Sequence, residues 1–186
     1  MKTIKLLAVL FISTLVLTSC EDDHDHNHDD HDHEHEEVNI LRYTLTNTSD
    51  ANNVVTFEFN DPDGEGGADG TKQISGTLAA NATYTGVLEL FYNHDGELES
   101  VSDEIIAEDA EDHEVFYINT AGMSIATTDV DANSNPLGFQ TNIIVGATTT
   151  GTLTIAIVHE GKKPNTGITD ALSGGGTTDI EVVFNF

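Results

Sequence analysis

The sequence predicts an all-β fold: a single antiparallel β-sandwich, Ig-like, with one short helix, preceded by a disordered acidic, His-rich tail. Three observations predict it. Apolar residues recur at every second position in short runs, and those runs are rich in Val, Ile, Thr, Phe and Tyr. Clusters of Gly, Asn and Asp separate the runs at short spacing, as in a sandwich or barrel. Only one stretch carries helical spacing, and no repeat of fixed period is visible.

Taken in order, Leu41, Tyr43 and Leu45 alternate with Arg42 and Thr44, so the first strand buries one face. Val55, Phe57 and Phe59 do the same against Thr56 and Glu58. Further strands are expected at Gln73–Leu78, Gly86–Tyr92, Glu114–Ile118, Met123–Thr128 and Phe139–Val145. The helix is expected at Asp103–Asp112, with Ser102 as its cap and Ile105, Ile106 and Ala110 on one face. Leu153, Ile155 and Ile157 line one face of Thr152–His159. Ile180, Val182, Phe184 and Phe186 line one face of the last strand, and Gly174-Gly175-Gly176 reads as a loop.

The N-terminus reads as an address. Lys2 and Lys5 precede an almost unbroken apolar run, Leu6 to Leu17, too short to span a bilayer stably. Leu17-Thr18-Ser19-Cys20 follows, and it resembles the lipobox of bacterial lipoproteins. That resemblance implies cleavage before Cys20 and acylation (palmitate or a similar chain) of Cys20, the only cysteine. Two or more acyl chains anchor stably where one holds weakly. The expected organisation is a signal peptide at 1–19, a lipidated Cys and His/Asp/Glu-rich tail at 20–37, and a β-sandwich domain at 38–186. With a single cysteine no disulfide forms within the chain, so the domain must hold itself by packing.

Residues Glu21 to Glu37 read EDDHDHNHDDHDHEHEE, six histidines and ten acids in seventeen positions. Nothing in that run can be buried in an apolar core. His24, His26 and His28, then His31, His33 and His35, lie two apart, roughly 6.6 Å along an extended chain. Modest bending lets two such imidazoles meet one ion at about 2 Å each, while neighbouring carboxylates add oxygen ligands. Ordering the segment costs entropy on binding, so moderate affinity and fast exchange are expected for Zn, Cu or Ni. A solvated acidic spacer is the plainer alternative.

After loss of residues 1–19, Arg42, Lys72, Lys162 and Lys163 face all thirty-three acids. Such a field repels a phosphate backbone, making nucleic acid an improbable partner, and concentrates cations. Within the domain, His94, His113 and His159 are candidates for a second metal site, with Glu160 nearby. Each also reads as a turn or strand-end residue. The loops Asp61–Glu65 and Asp129–Asn135 place oxygen donors at alternate positions, as calcium prefers, without completing an EF-hand: Ser134 replaces the turn Gly and Gln140 the bidentate Glu. Plain β-connections explain them more simply. Catalytic patterns are missing. His159-Glu160-Gly161-Lys162-Lys163 lacks the second zincin His, and there is no nucleophile elbow and no phosphate-binding loop. The expectation is no enzyme.

Beyond the lipobox and the acidic segment, the runs TLTNTSDANNVVTFEFNDPDG, EDAEDHEVFY, DVDANSNPLG and IVHEGKKPNTG…DIEVVFNF resemble small His-rich, acidic envelope lipoproteins of Bacteroidota. Some of these are labelled type 1 periplasmic binding folds. That fold has two α/β lobes, and this chain has neither the length nor the crossover helices for it. The resemblance implies an outer-membrane lipoprotein on the periplasmic or cell-surface face, working with a TonB-dependent receptor. The expected function is therefore capture of a divalent transition metal, zinc first, by the tail, and hand-off to an uptake system. The alternative is a structural or adhesive surface module with the tail as spacer. A site for haem or a small organic ligand ranks third, since aromatic residues make up only 6% of the chain.

Overall fold

Alternating burial along the strands divides the chain into two antiparallel sheets that share one core. The structure, a computed structural model, describes residues 37–64, 69–94, 96–164 and 171–186. The signal segment, Cys20 and the six tail histidines lie outside the described residues. The strands are β1 (Ile40–Asn47), β2 (Val54–Asn60), β3 (Thr71–Ser75), β4 (Thr83–His94) and β5 (Glu97–Ser100). They continue with β6 (His113–Asn119), β7 (Ser124–Thr127), β8 (Gln140–Ile144), β9 (Thr152–His159) and β10 (Thr177–Asn185). One sheet has seven strands, in the order β3-β2-β1-β4-β8-β7 with β5 also on β4; the other has three, β10-β9-β6. This is the expected all-β sandwich.

The core sits where the inner faces meet. Leu41, Tyr43 and Leu45 of β1 and Val55 and Phe57 of β2 pack with Leu153, Ile155 and Ile157 of β9 and Val182 and Phe184 of β10, all buried. Phe57 meets Phe184 edge-on at 5.5 Å, and Tyr43 meets Tyr117 at 5.0 Å. A fully buried side chain of this size contributes roughly 1.5–3 kcal/mol. The sheets are therefore held by apolar area, as a chain without disulfides requires.

β4 organises the larger sheet because it is long. Its Thr83–Val87 half pairs with β8, its Phe91–His94 half with β5, and its other edge pairs with β1 throughout Tyr84–Phe91. Gly86, in the half that pairs with β8, is needed for space. A Cβ there would lie 2.7 Å from the Tyr43 hydroxyl, which bonds Thr141 Oγ1 at 2.6 Å. Burial pushes the Tyr43 hydroxyl well above the ordinary tyrosine range, against the opposing effect of the Thr141 bond. Burial does the same at Tyr117, helped by Tyr43 and Asp129. Both phenols stay neutral, and Tyr117 donates to the Gly138 carbonyl at 2.7 Å.

The helix differs from expectation. It begins earlier, as α1 (Val101–Glu104), and continues as a π-helical stretch, Ile105–Asp109. The cap is Ser100, whose Oγ accepts from Asp103 N at 3.3 Å. Ser102 instead points inward and accepts from Leu90 N at 3.3 Å, tying the helix to β4. Val101 and Ile105 enter the core four residues apart while Ile106 stays 46% exposed, so Ile105 and Ile106 do not share a face. β3 also ends early, at Ser75, because Gly76 turns with φ +81° and Leu78 then drops into the core. Among the described residues no helix is long and apolar enough to cross a membrane.

Gly86→Ala should destabilise the domain by about 1–3 kcal/mol through overpacking, and Tyr43→Phe by about 1 kcal/mol through loss of one buried hydrogen bond. In urea unfolding the double variant should lose less than the sum, since removing the Tyr43 oxygen relieves part of the clash. Strict additivity would contradict the close approach.

Candidate functional site

The His-rich segment joins the fold at a fixed point. Glu37 is exposed, Val38 packs against the core, and Asn39 is buried. The Asn39 side chain acts as a surrogate peptide: its Nδ2 donates to Asn93 O and its Oδ1 accepts from Asn93 N, each at 2.8 Å. Its backbone N–H donates to Phe91 O at 3.1 Å and its carbonyl accepts from Asp61 N at 2.8 Å. The chain entering from the tail is thus clamped to the end of β4, one residue from His94.

His94 closes β4, and the register of the β4–β5 hairpin decides what surrounds it. His94 pairs with Glu97, and Tyr92 with Glu99. All four side chains therefore project from the same face of the hairpin, since residues two apart share a face. The imidazole stacks on Tyr92 at 5.1 Å, and its Nε2 lies 3.4 Å from Glu99 Oε1. Nitrogen and carboxylate oxygens of His94, Glu97 and Glu99 all lie within 4.8 Å of one another. Among the described residues this is the one trio of His, Cys, Asp or Glu with ligand atoms so close.

The other two candidate histidines come together without His94. His113 and His159 are paired residues on β6 and β9, in the three-stranded sheet, and their rings stack at 4.6 Å and 6°. Both are buried at the end of the inner face. A break in register between Thr178 and Ile180 makes Asp179 an extra residue of β10. Such a bulge re-aims a side chain, and Asp179 Oδ2 comes within 3.6 Å of His113 Nε2. His113 Nδ1 lies 2.9 Å from the Asp109 carbonyl, which can only accept, so Nδ1 carries the proton. Nearly parallel planes hold the two rings' in-plane lone pairs side by side, and one ring must tilt before both reach a single ion. Glu160 follows His159 outside the strand, with φ +54°. The three histidines, candidates for one shared site, thus fall into two places: His94 on β4 of the larger sheet, and His113 with His159 on the three-stranded sheet.

The acidic loop Asp129–Asn135 is already supplied with donors. Asp129 accepts from Gly138 N at 3.0 Å and Phe139 N at 2.8 Å. Asp131 Oδ1 accepts from Asn133 N and Asn135 N, and its Oδ2 faces Lys163 Nζ at 2.9 Å. The Lys163 ammonium also donates to the carbonyls of Ala110 at 2.7 Å and His113 at 2.6 Å, with its side chain only 5% exposed. Burial pushes the Asp131 carboxyl up, but Lys163 and Asn135 outweigh it and hold the group below its ordinary 3.8. The cation this loop holds is the protein's own. In the other acidic loop, Gly64 N bonds Asp61 O at 3.3 Å as in a plain turn, and Glu65 lies outside the described residues.

Glu97, Glu99, Asp179 and Lys163 were not singled out from the sequence. The hairpin pair had a signal: the sequence places Asp-Gly directly after His94, a dipeptide that favours a two-residue hairpin connection and so a residue at 97 opposite His94. Asp179 had none, since a bulge is invisible until the strands are paired. No protein-family model matches the chain, and neither a curated protein nor a solved structure matches it.

Lys163→Met should cost about 3–5 kcal/mol, because it leaves Asp131 buried without its cation. The folded Asp131 carboxyl titrates below its ordinary value. Its stabilising contribution is therefore complete above about pH 5 and is lost as the pH falls through the folded value. Asp131→Asn should flatten that acid limb of the unfolding free energy in urea titrations between about pH 6 and pH 3. An unchanged acid limb would contradict the assignment.

Proposed function

We propose that this protein is a lipid-anchored envelope protein that captures a divalent transition metal, zinc first, through residues 21–37, and passes it to an outer-membrane uptake system. The observation that carries the reading is the run of six histidines and ten acids placed directly after Cys20. Imidazole and carboxylate at this density give many overlapping two- and three-donor sets for one borderline ion. The anchor keeps the ions local. The acidic domain, with four basic residues against twenty-three acids, draws cations toward it. The clamp of Asn39 onto Asn93 supports the reading, because it roots the segment on a rigid strand. Hand-off to a TonB-dependent receptor follows from the family resemblance alone.

A second reading rests on a different observation. A shallow groove of ≈ 260 Å³ runs between β4 and α1, lined by Val87, Phe91, Ser102, Asp103 and Ile106 among others. Val87 and Ile106 are about half exposed there. An adhesive or structural surface module, with the tail as a charged spacer, would use such a face.

Zinc titrated into the full chain should bind near pH 7.5 with proton release and weakly near pH 5.5, because only neutral imidazole ligates. Replacing all six tail histidines with Asn should remove most of the bound zinc and impair growth under zinc limitation. Unchanged zinc stoichiometry in that variant would overturn the capture reading, and unaffected growth with loss of surface attachment in groove variants would favour adhesion. Cys20→Ser should move the protein from the membrane to the soluble envelope fraction; continued pelleting with membranes would overturn the anchor.

A further inference from the structure

We infer that the β4–β5 hairpin carries a second, ordered metal site, in which His94, Glu97 and Glu99 bind one divalent transition ion at the root of the His-rich segment. The proposal rests on the capture reading only for the source of its ions; the site itself stands on the hairpin's geometry.

The register does most of the construction. His94 and Glu97 are a directly opposed pair, and Glu99 sits one step along the same face. Their ligand atoms already lie within 4.8 Å of one another with no ion between them. Two ligands on one tetrahedral zinc, each at about 2.0–2.2 Å, are about 3.3 Å apart. The remaining closure is therefore roughly an ångström and a half, which rotation of two glutamate side chains supplies without moving the backbone. Tyr92 fixes the imidazole by stacking on it, at 29° between planes, so the ring does not have to be ordered at the moment of binding. The partners are half-buried or exposed, which leaves the remaining coordination positions to water. A nitrogen with two carboxylate oxygens and an open position suits zinc or a similar ion that must leave again.

Position gives the site its use. Asn93, the neighbour of His94, is the residue whose backbone N–H and carbonyl both bond the side-chain amide of Asn39. His35 is four residues before Asn39, so covalent length alone keeps its Cα within about 14 Å of that clamp. A donor tethered so closely competes at high effective concentration. The hairpin trio is then the stopping place for metal gathered upstream, and the ordered surface from which a partner would take it.

The test uses the full chain held in detergent, with its six tail histidines replaced by Asn, and adds zinc alone, or cobalt as a spectroscopic substitute. The expected result is one retained equivalent of metal. His94→Asn or Glu97→Gln/Glu99→Gln in that background should weaken its binding at least about tenfold, with circular dichroism unchanged. If the tail-substituted chain binds no metal while the unaltered chain does, the hairpin site is overturned and the capture reading survives. If it retains metal that neither hairpin variant weakens, the site lies elsewhere and this inference fails. If the unaltered chain binds nothing, both readings fall.

Discussion

One buried ammonium ties three segments of this sandwich together. Lys163 reaches Asp131, the Ala110 carbonyl and the His113 carbonyl at once. It thereby joins the 129–137 loop to the end of the π-helical stretch and the start of β6. The consequences spread along hydrogen bonds. Asp131 shapes its loop through Asn133 and Asn135, while Asp129 receives the N–H groups of Gly138 and Phe139 and delivers the chain into β8. Tyr117 then closes on Gly138. Of the four basic residues in the domain, against twenty-three acids, one is committed to the interior. A buried pair of this kind adds little net stability over an apolar substitute, yet losing one member is costly. Its service is to fix one arrangement of three segments that share no strand pairing.

Much of the fold was legible because most strands bury one face. β1, β2, β9 and β10 were readable from Leu41-Tyr43-Leu45, Val55-Phe57, Leu153-Ile155-Ile157 and Val182-Phe184, since alternation is the direct imprint of a half-buried ladder. β5 was not readable: Glu97, Leu98 and Glu99 are exposed, so no apolar rhythm marks them. The helix was displaced because Ser102 is an attractive cap in isolation, while tertiary context claims its hydroxyl for Leu90.

The site was legible to a lesser degree. The His-rich segment declares itself by composition, which needs no geometry. His94 was visible as a turn histidine, but its partners are assigned by cross-strand register. Sequence could set His94, His113 and His159 side by side only by ignoring which sheet each strand joins. Asp129, Asp131, Asn133 and Asn135 have the spacing of cation ligands, but the loop spends it on turn bonds: Asp129 and Asp131 accept backbone N–H groups, Asn135 donates its amide to Asp131, and the Asp131 carboxylate meets the Lys163 ammonium.

The open edge at β3 has a consequence for crowding at a surface. β3 pairs only with β2 among the described strands and is exposed along nearly its whole length. An unpaired edge of this kind is a template for strand addition between molecules. Lys72, its second residue, is a weak guard. The stronger one is mutual repulsion between strongly acidic copies, and that repulsion fades beyond about 8 Å at physiological ionic strength. Colloidal stability here is thus a property of the medium as much as of the fold. Salt or bound divalent ions, by neutralising the surface, would bring neighbouring copies within reach of edge-to-edge association.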